Sequence, residues 1–282
     1  MPIDPARPSP RGAASDHGSG GSLDGGASDN AGRGIRRALQ ILSLFISDDT
    51  GLSVAEIVSR SDLPKSTTIR LLSVLRNEGL LYRTPDGLVG PGPVLLGLAR
   101  AASQRWHASP MTASVLNALM AETRETASLF VMTELSRVCV FRVEGPQQVR
   151  HHLKIGDRSP LWNGATGLVL LSDKANSVVE RVLATAPVGF DESAFRIAVR
   201  STRESHVASS HGTREIGLSA VAVPVLDTTS EVVAALSVSG PTDRFTGANF
   251  KVFIRAATLA AEELSKQLVG YPLFGSSSGP YP

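Results

Sequence analysis

Apolar positions set the frame of the N-terminal part. Ala38, Leu39, Ile41, Leu42, Leu44, Phe45 and Ile46 predict a strongly apolar helix with Arg36, Arg37 and Gln40 outside it. Asp48-Asp49-Thr50-Gly51 stops that helix. Ser53-Val54-Ala55-Glu56 then reads as a capping box, in which the serine hydroxyl and the glutamate carboxylate each accept the other residue's backbone N–H. It starts a short helix running to about Arg60. After a tight turn at Ser61-Asp62-Leu63, Pro64 opens a third helix, where the N–H that proline lacks has no partner in any case. Along it Ile69, Leu72, Val74 and Leu75 are expected to point inward. Ser66, Arg70, Ser73 and Asn77 fall at i, i+4, i+7 and i+11, one continuous polar stripe. Gly79 stands where a helix ends on a left-handed residue. Leu80–Arg83 and Leu88-Val89 flank Thr84-Pro85-Asp86-Gly87, whose proline and glycine positions predict a type I turn. Three helices and a two-stranded wing predict a winged helix-turn-helix over residues 33–92.

The pattern then changes. Val94-Leu95-Leu96-Gly97-Leu98-Ala99 is apolar nearly all round, which predicts a linker helix over 93–109 that also serves a dimer interface. From 110 to 270 helix and strand signals mix, so the fold class is α+β. Met111 to about Thr126 is an amphipathic helix with Val115, Leu116, Leu119 and Met120 inside. Ala127–Met132, Arg137–Val143, Leu218–Val225 and Val232–Ser239 read as strands. Val149, His151, Leu153 and Ile155 alternate with polar residues, which predicts a further half-buried strand. Helices are expected from Gly164 to Leu171, from Ala194 to about His206 and from Phe250 to Leu268.

Composition adds limits. Residues 1–32 are rich in Gly, Ser, Ala, Pro and Asp and bury too little to offset their ordering entropy, so a disordered tail is expected, as it is for 271–282. No run approaches the roughly eighteen apolar residues of a membrane helix, and the N-terminus shows no secretory h-region. A cytoplasmic, nucleoid-associated protein is expected. Cys139, the single cysteine, lies between two valines and reads as a buried strand thiol. No metal site or cofactor is expected.

The formal net charge is only +2, so any nucleic-acid surface must be local. Residues 35–110 hold nine Lys/Arg against six Asp/Glu, and the window 63–83 alone carries a net +3. That charge falls on the third helix and the wing. Lys65 suits a phosphate, and Ser66 and Thr67 suit phosphate or base-edge hydrogen bonds. Thr68 and Ser73 join the same candidate face. Arg70, one turn deeper, can fork onto a guanine, or be a solvated surface arginine. Arg83 on the wing, and Arg33 and Arg36 before the first helix, are phosphate candidates with the same alternative. Double-stranded operator DNA is the expected partner.

Four blocks, in order, resemble the IclR family of bacterial transcriptional regulators. They are Arg36–Leu42 with Gly51-Leu52-Ser53, Leu63–Thr67 through Leu72, Arg142-Val143-Glu144-Gly145-Pro146, and Val232–Pro241. The resemblance spans roughly residues 33–269. It implies an N-terminal winged helix on operator DNA and a C-terminal domain similar to the GAF fold that binds a small organic effector, an acid or an aromatic metabolite. It also implies a homodimer or homotetramer, and a ligand-responsive regulator of a metabolic operon, more readily a repressor. Leu218 and Ala220 match family positions that line the ligand. Gly164 and Ser210 fall in the same pocket-wall blocks, where Trp162-Asn163 and Ala208-Ser209-Ser210-His211 depart from the family pattern. From the residues themselves, Ala165 and Thr166 open a helix whose free N–H groups can face a carboxylate. Ser237 and Ser239 share one face of a strand, as ligand groups or as cross-strand hydrogen bonds. His151 is either a ligand contact or a core residue. An enzyme is the first rival reading, but the Gly-x-Ser-x-Gly string Gly275–Gly279 falls in the Gly/Ser-rich tail and makes no strand-to-helix elbow, and no zinc-ligand spacing occurs. A ligand-independent DNA-binding protein is the second.

Overall fold

The computed structural model describes residues 25–46, 51–106, 110–147, 153–213 and 216–267. The chain divides into two compact units, one ending at Val94 and one beginning at Leu95.

The first unit contains α1 (Gly25–Ser43), α2 (Val54–Arg60), α3 (Lys65–Asn77), β1 (Leu81–Arg83) and β2 (Val89–Pro91). Its core joins Ile41 and Phe45 of α1, Leu52, Ile57 of α2, Leu71, Leu72 and Leu75 of α3, and Leu81 and Val89 of the wing. α1 starts at Gly25, inside the stretch expected to be a disordered tail. Once its apolar turns are nucleated, each further residue gains one backbone bond for one residue fixed. The capping box of α2 is complete: Ser53 Oγ accepts from the Glu56 N–H at 3.2 Å, and Glu56 Oε2 accepts from the Ser53 N–H at 2.8 Å. Gly79 is left-handed (φ 69°) after α3. The wing register pairs Tyr82 with Gly90, and Gly87 N donates to Thr84 O at 3.0 Å to close the turn.

The phase of α3 differs from the expected one. Its buried residues are Thr68, Leu71, Leu72 and Leu75, while Ile69 and Val74 are 47% and 51% exposed. Thr68 takes the inward place because its hydroxyl finds partners there. Oγ1 donates to the Pro64 carbonyl (3.3 Å) and lies 3.3 Å from Ser61 Oγ, itself buried. A threonine so satisfied is buried at little cost, and it turns the helix away from the purely apolar phase.

The second unit contains α4 (Val94–Trp106) from its second residue on, α5 (Pro110–Thr123), β3 (Thr126–Thr133), β4 (Ser136–Val143), β5 (Arg158–Pro160), α6 (Ala165–Leu171), α7 (Asn176–Leu183), α8 (Glu192–Ser205), β6 (Ala208–His211), β7 (Leu218–Leu226), β8 (Val232–Pro241) and α9 (Gly247–Gln267). The strands form one antiparallel sheet in the order β5-β4-β3-β8-β7-β6. α5 and α9 bury Leu116, Leu119, Phe253 and Ala257 on one face of it. α6, α7 and α8 bury Val169, Val182, Phe195 and Val199 on the other. The alternation from Val149 to Ile155 yields no strand where it is described: Leu153 is buried, Ile155 is exposed, and the chain turns at Gly156 (φ 91°). β5, β6 and α7 are additions to the expected elements. A buried Glu125 accepts from Arg244 (Nη2 to Oε2, 2.9 Å) just before β3.

Candidate DNA-reading face and effector pocket

α3 presents Lys65, Ser66, Arg70, Ser73 and Asn77 to solvent, with Thr67 half-buried at their edge. Leu71, Leu72 and Leu75 anchor the opposite side. Ile69, unexpectedly exposed, lies among these polar residues. Thr68 is the exception to the expected set: its side chain is buried under the helix and cannot reach a groove. Arg83 is exposed on the wing, and its Nε donates to the Gly87 carbonyl at 3.1 Å, which ties the side chain across the turn. Arg33 and Arg36 are exposed on α1, where Arg36 Nε donates to Gly32 O at 3.3 Å. Gln40 Nε2 donates to the Ser61 carbonyl at 2.6 Å, fastening α1 to the turn between α2 and α3. That turn sets the angle at which α3 is offered.

In the second unit a cavity of about 30 Å³ lies between α6 and the sheet. Gly164, Ala165 and Thr166 line it from the start of α6, Leu218 and Ala220 from β7, Ser237 and Ser239 from β8, and Ser210 from β6. The register explains the convergence. Ser210 pairs with Ala220, Ala220 with Ser239, and Ala222 with Ser237, so these side chains form adjacent cross-strand rows on one face. Gly164 is left-handed (φ 82°), and Gly167 lets α6 press onto the preceding loop, since a Cβ there would lie 2.0 Å from Leu161 O. His151 lies outside the described residues.

Phe130, Arg137 and Ser219 also line the cavity. Arg137 had a readable signal: it shares a strand face with Cys139, so a charged residue occupies an inward position in an apolar strand. Arg137 is 2% exposed; its Nη1 donates to the Pro160 carbonyl, and its guanidinium carbon stands 5.9 Å from the Phe130 ring centroid. Ser219 Oγ turns to the other face, donating to Thr242 Oγ1 at 2.9 Å and lying 2.9 Å from His211 Nδ1. It meets the cavity beside Leu218 and Ala220.

Family models match both units. The bacterial transcriptional regulator IclR C-terminal domain matches residues 101–266, and the IclR helix-turn-helix domain matches residues 34–85. The chain belongs to the IclR family. The HTH-type transcriptional regulator BhcR of Paracoccus denitrificans is 31% identical over 258 residues, covering 85% of this chain and 89% of that protein. The crystal structure of an IclR-family regulator from Rhodococcus sp. is 32% identical, covers 92% of this chain and 99% of that one, and has a TM-score of 0.58. An IclR homologue from Microbacterium hydrocarbonoxydans, crystallised with 4-hydroxybenzoate, shares the fold at 23% identity, with 83% and 98% coverage and a TM-score of 0.66.

This IclR-family chain is therefore a DNA-binding transcriptional regulator and not an enzyme. No helix among the described residues is long and apolar enough to cross a membrane. The family's two Gly-Pro blocks have a local reason here. A Cβ on Gly145 would lie 2.9 Å from the Glu125 backbone, and one on Gly240 would lie 2.1 Å from Glu125 Oε2. Both glycines make room for the buried partner of Arg244.

Proposed function

We propose that this chain represses a metabolic operon from the cytoplasm, as a homodimer or homotetramer, and that a small organic effector, an acid or an aromatic metabolite, in the α6 cavity modulates operator binding. The observation that carries the reading is the convergence of Gly164, Ala165, Thr166, Ser210, Leu218, Ala220, Ser237 and Ser239 on one cavity in a chain whose α3 exposes a cationic, hydrogen-bonding stripe. Lys65, Ser66, Thr67 and Arg83 serve the phosphates and Arg70 a base edge, with Ser73 deeper along the groove and Arg33 and Arg36 on the flanking backbone. Repression is the sign that needs DNA occupancy alone. Leu96 and Leu98 on α4 are 74% and 58% exposed in the single chain, which supports an interface between copies.

A gel-shift assay on the DNA flanking its own gene, at fixed salt, tests the first half. Arg70→Ala lowers affinity by about 1–3 kcal/mol with the melting temperature unchanged. Equal affinity removes Arg70 from the groove. The second half is read with a metabolite screen in the same assay: Ser239→Ala combined with Thr166→Val abolishes the ligand response and leaves DNA binding intact. A response unaltered by those changes takes the cavity out of the mechanism.

A further inference from the structure

A second cavity, of about 210 Å³, lies between α7 and α8 and shares no lining residue with the α6 cavity. Val179 and Val199, both buried, line it at the base of the two helices. Its wall is the face of α8 that carries Arg196, Arg200 and Arg203, at i, i+4 and i+7. Like charges so placed on one helix face repel one another unless anions offset them.

The three arginines are not equivalent. Arg196 is neutralised within the protein: Nε and Nη2 donate to the two carboxylate oxygens of Glu180 at 2.8 and 2.7 Å, and Nη2 also donates to Glu192 Oε2 at 2.8 Å. Arg203 is fixed without being neutralised. Its Nε donates to the Ser172 carbonyl and its Nη2 to the Lys174 carbonyl at 2.9 Å, which holds the fork in place and leaves N–H donors to spare. Arg200 is exposed and has no ion pair or hydrogen bond from its side chain among the described residues. Glu180 is the only acidic residue lining the cavity among the described residues, and it is committed to Arg196. One positioned guanidinium and one free one, both uncompensated, therefore border the same space.

Two planar forks on one cavity match a group that carries its negative charge on several neighbouring oxygens. A phosphoryl group brings a charge of about −1.5 to −2 on three acceptor oxygens, whereas a carboxylate brings a single charge on two. The space exceeds the roughly 150 Å³ that hold a benzene ring, so a phosphoryl group leaves room for a short chain. Asn176, the first residue of α7, lines that space with a neutral amide that can both donate and accept. We propose that the α7–α8 cavity binds a small phosphate monoester of about three or four carbons, with Arg200 and Arg203 on the phosphoryl oxygens and Asn176 on the chain.

Isothermal titration of the full chain without DNA, at constant ionic strength, tests this with glycerol 3-phosphate, succinate and glycerol. Glycerol 3-phosphate binds, succinate binds about tenfold more weakly, and glycerol gives no binding heat. Arg200→Gln, at an exposed and unpaired position, keeps the melting temperature and weakens the ester by about tenfold or more. Arg200→Lys, which keeps the charge, retains part of the affinity. Arg181→Gln removes an exposed cation of α7 outside the cavity and changes nothing. Wild-type affinity in folded Arg200→Gln overturns the assignment, as does succinate binding as tightly as the ester, or no binding of the ester at all. A phosphate of the DNA backbone is the other source of the same chemistry, and a gel shift without added ester separates the two. Equal DNA affinity of wild type and Arg200→Gln supports the free ester; a loss in the variant assigns these cations to DNA and overturns the proposal.

Discussion

A methyl group on Gly240 would sit 2.1 Å from Glu125 Oε2 and 3.2 Å from the Phe245 ring. Glu125 cannot step aside freely, because it is buried and holds Arg244, whose pKa is raised chiefly by their hydrogen bond. Gly240→Ala should therefore destabilise the second unit by about 2–4 kcal/mol in urea unfolding. Gly97→Ala, on an exposed stretch of α4 with nothing within 4 Å of its Cβ, should be neutral or stabilising by up to about 1 kcal/mol in the same experiment. The sequence shows two glycines followed by prolines and gives no hint that both lie against one carboxylate. Thr68 teaches a related lesson. Its place on the cationic helix suggested a reading residue, yet Ser61 and the Pro64 carbonyl supply its hydrogen bonds inside. Hydroxyl residues are hard to phase from sequence, since they are stable on either side of a helix when a partner is present.

At the scale of elements, capping and turn chemistry was the most legible layer. The Ser53/Glu56 box, the Gly79 stop and the Thr84–Gly87 turn are local, so their energetics need no distant residue. The turn between β7 and β8 is built in the same local way. Asp227 Oδ1 accepts from the Thr229 hydroxyl at 2.7 Å, from the Thr229 N–H at 2.8 Å and from the Glu231 N–H at 2.9 Å. The Thr229 hydroxyl first, then the Glu231 N–H, hold its carboxyl below the ordinary value of 3.8. The folded pKa is depressed, so the stabilisation is complete above the ordinary value and is lost as pH falls through the folded one. In thermal melts, the gap between wild type and Asp227→Asn should be full at about pH 5 and above and close toward about pH 2. A gap independent of pH would assign the turn's stability to something other than this charge. β5, β6 and α7 were less legible: β5 and β6 are short edge strands and α7 two turns, so each has too few residues to show a period.

At the scale of the whole molecule, the two units have cores that share no residue. Ile57, fully buried in the first, offers a clean test. Ile57→Ala should cost that unit about 2–5 kcal/mol and make the far-UV circular dichroism transition biphasic. Both tryptophans, Trp106 and Trp162, follow Val94, so the fluorescence midpoint should stay where it is. A fluorescence midpoint that moves with Ile57→Ala would mean that the units unfold together. The sequence by itself determined the order of elements, the winged helix-turn-helix, the family, and most residues of the cavity, because capping, periodicity and motif spacing act over a few residues. Tertiary structure alone decided the face of α3, the burial of Glu125 beneath two glycines, and the place of Arg137 in the cavity wall. Those depend on which strands pair and which helix covers them, contacts between residues as much as 119 positions apart, from Glu125 to Arg244, that no local pattern encodes.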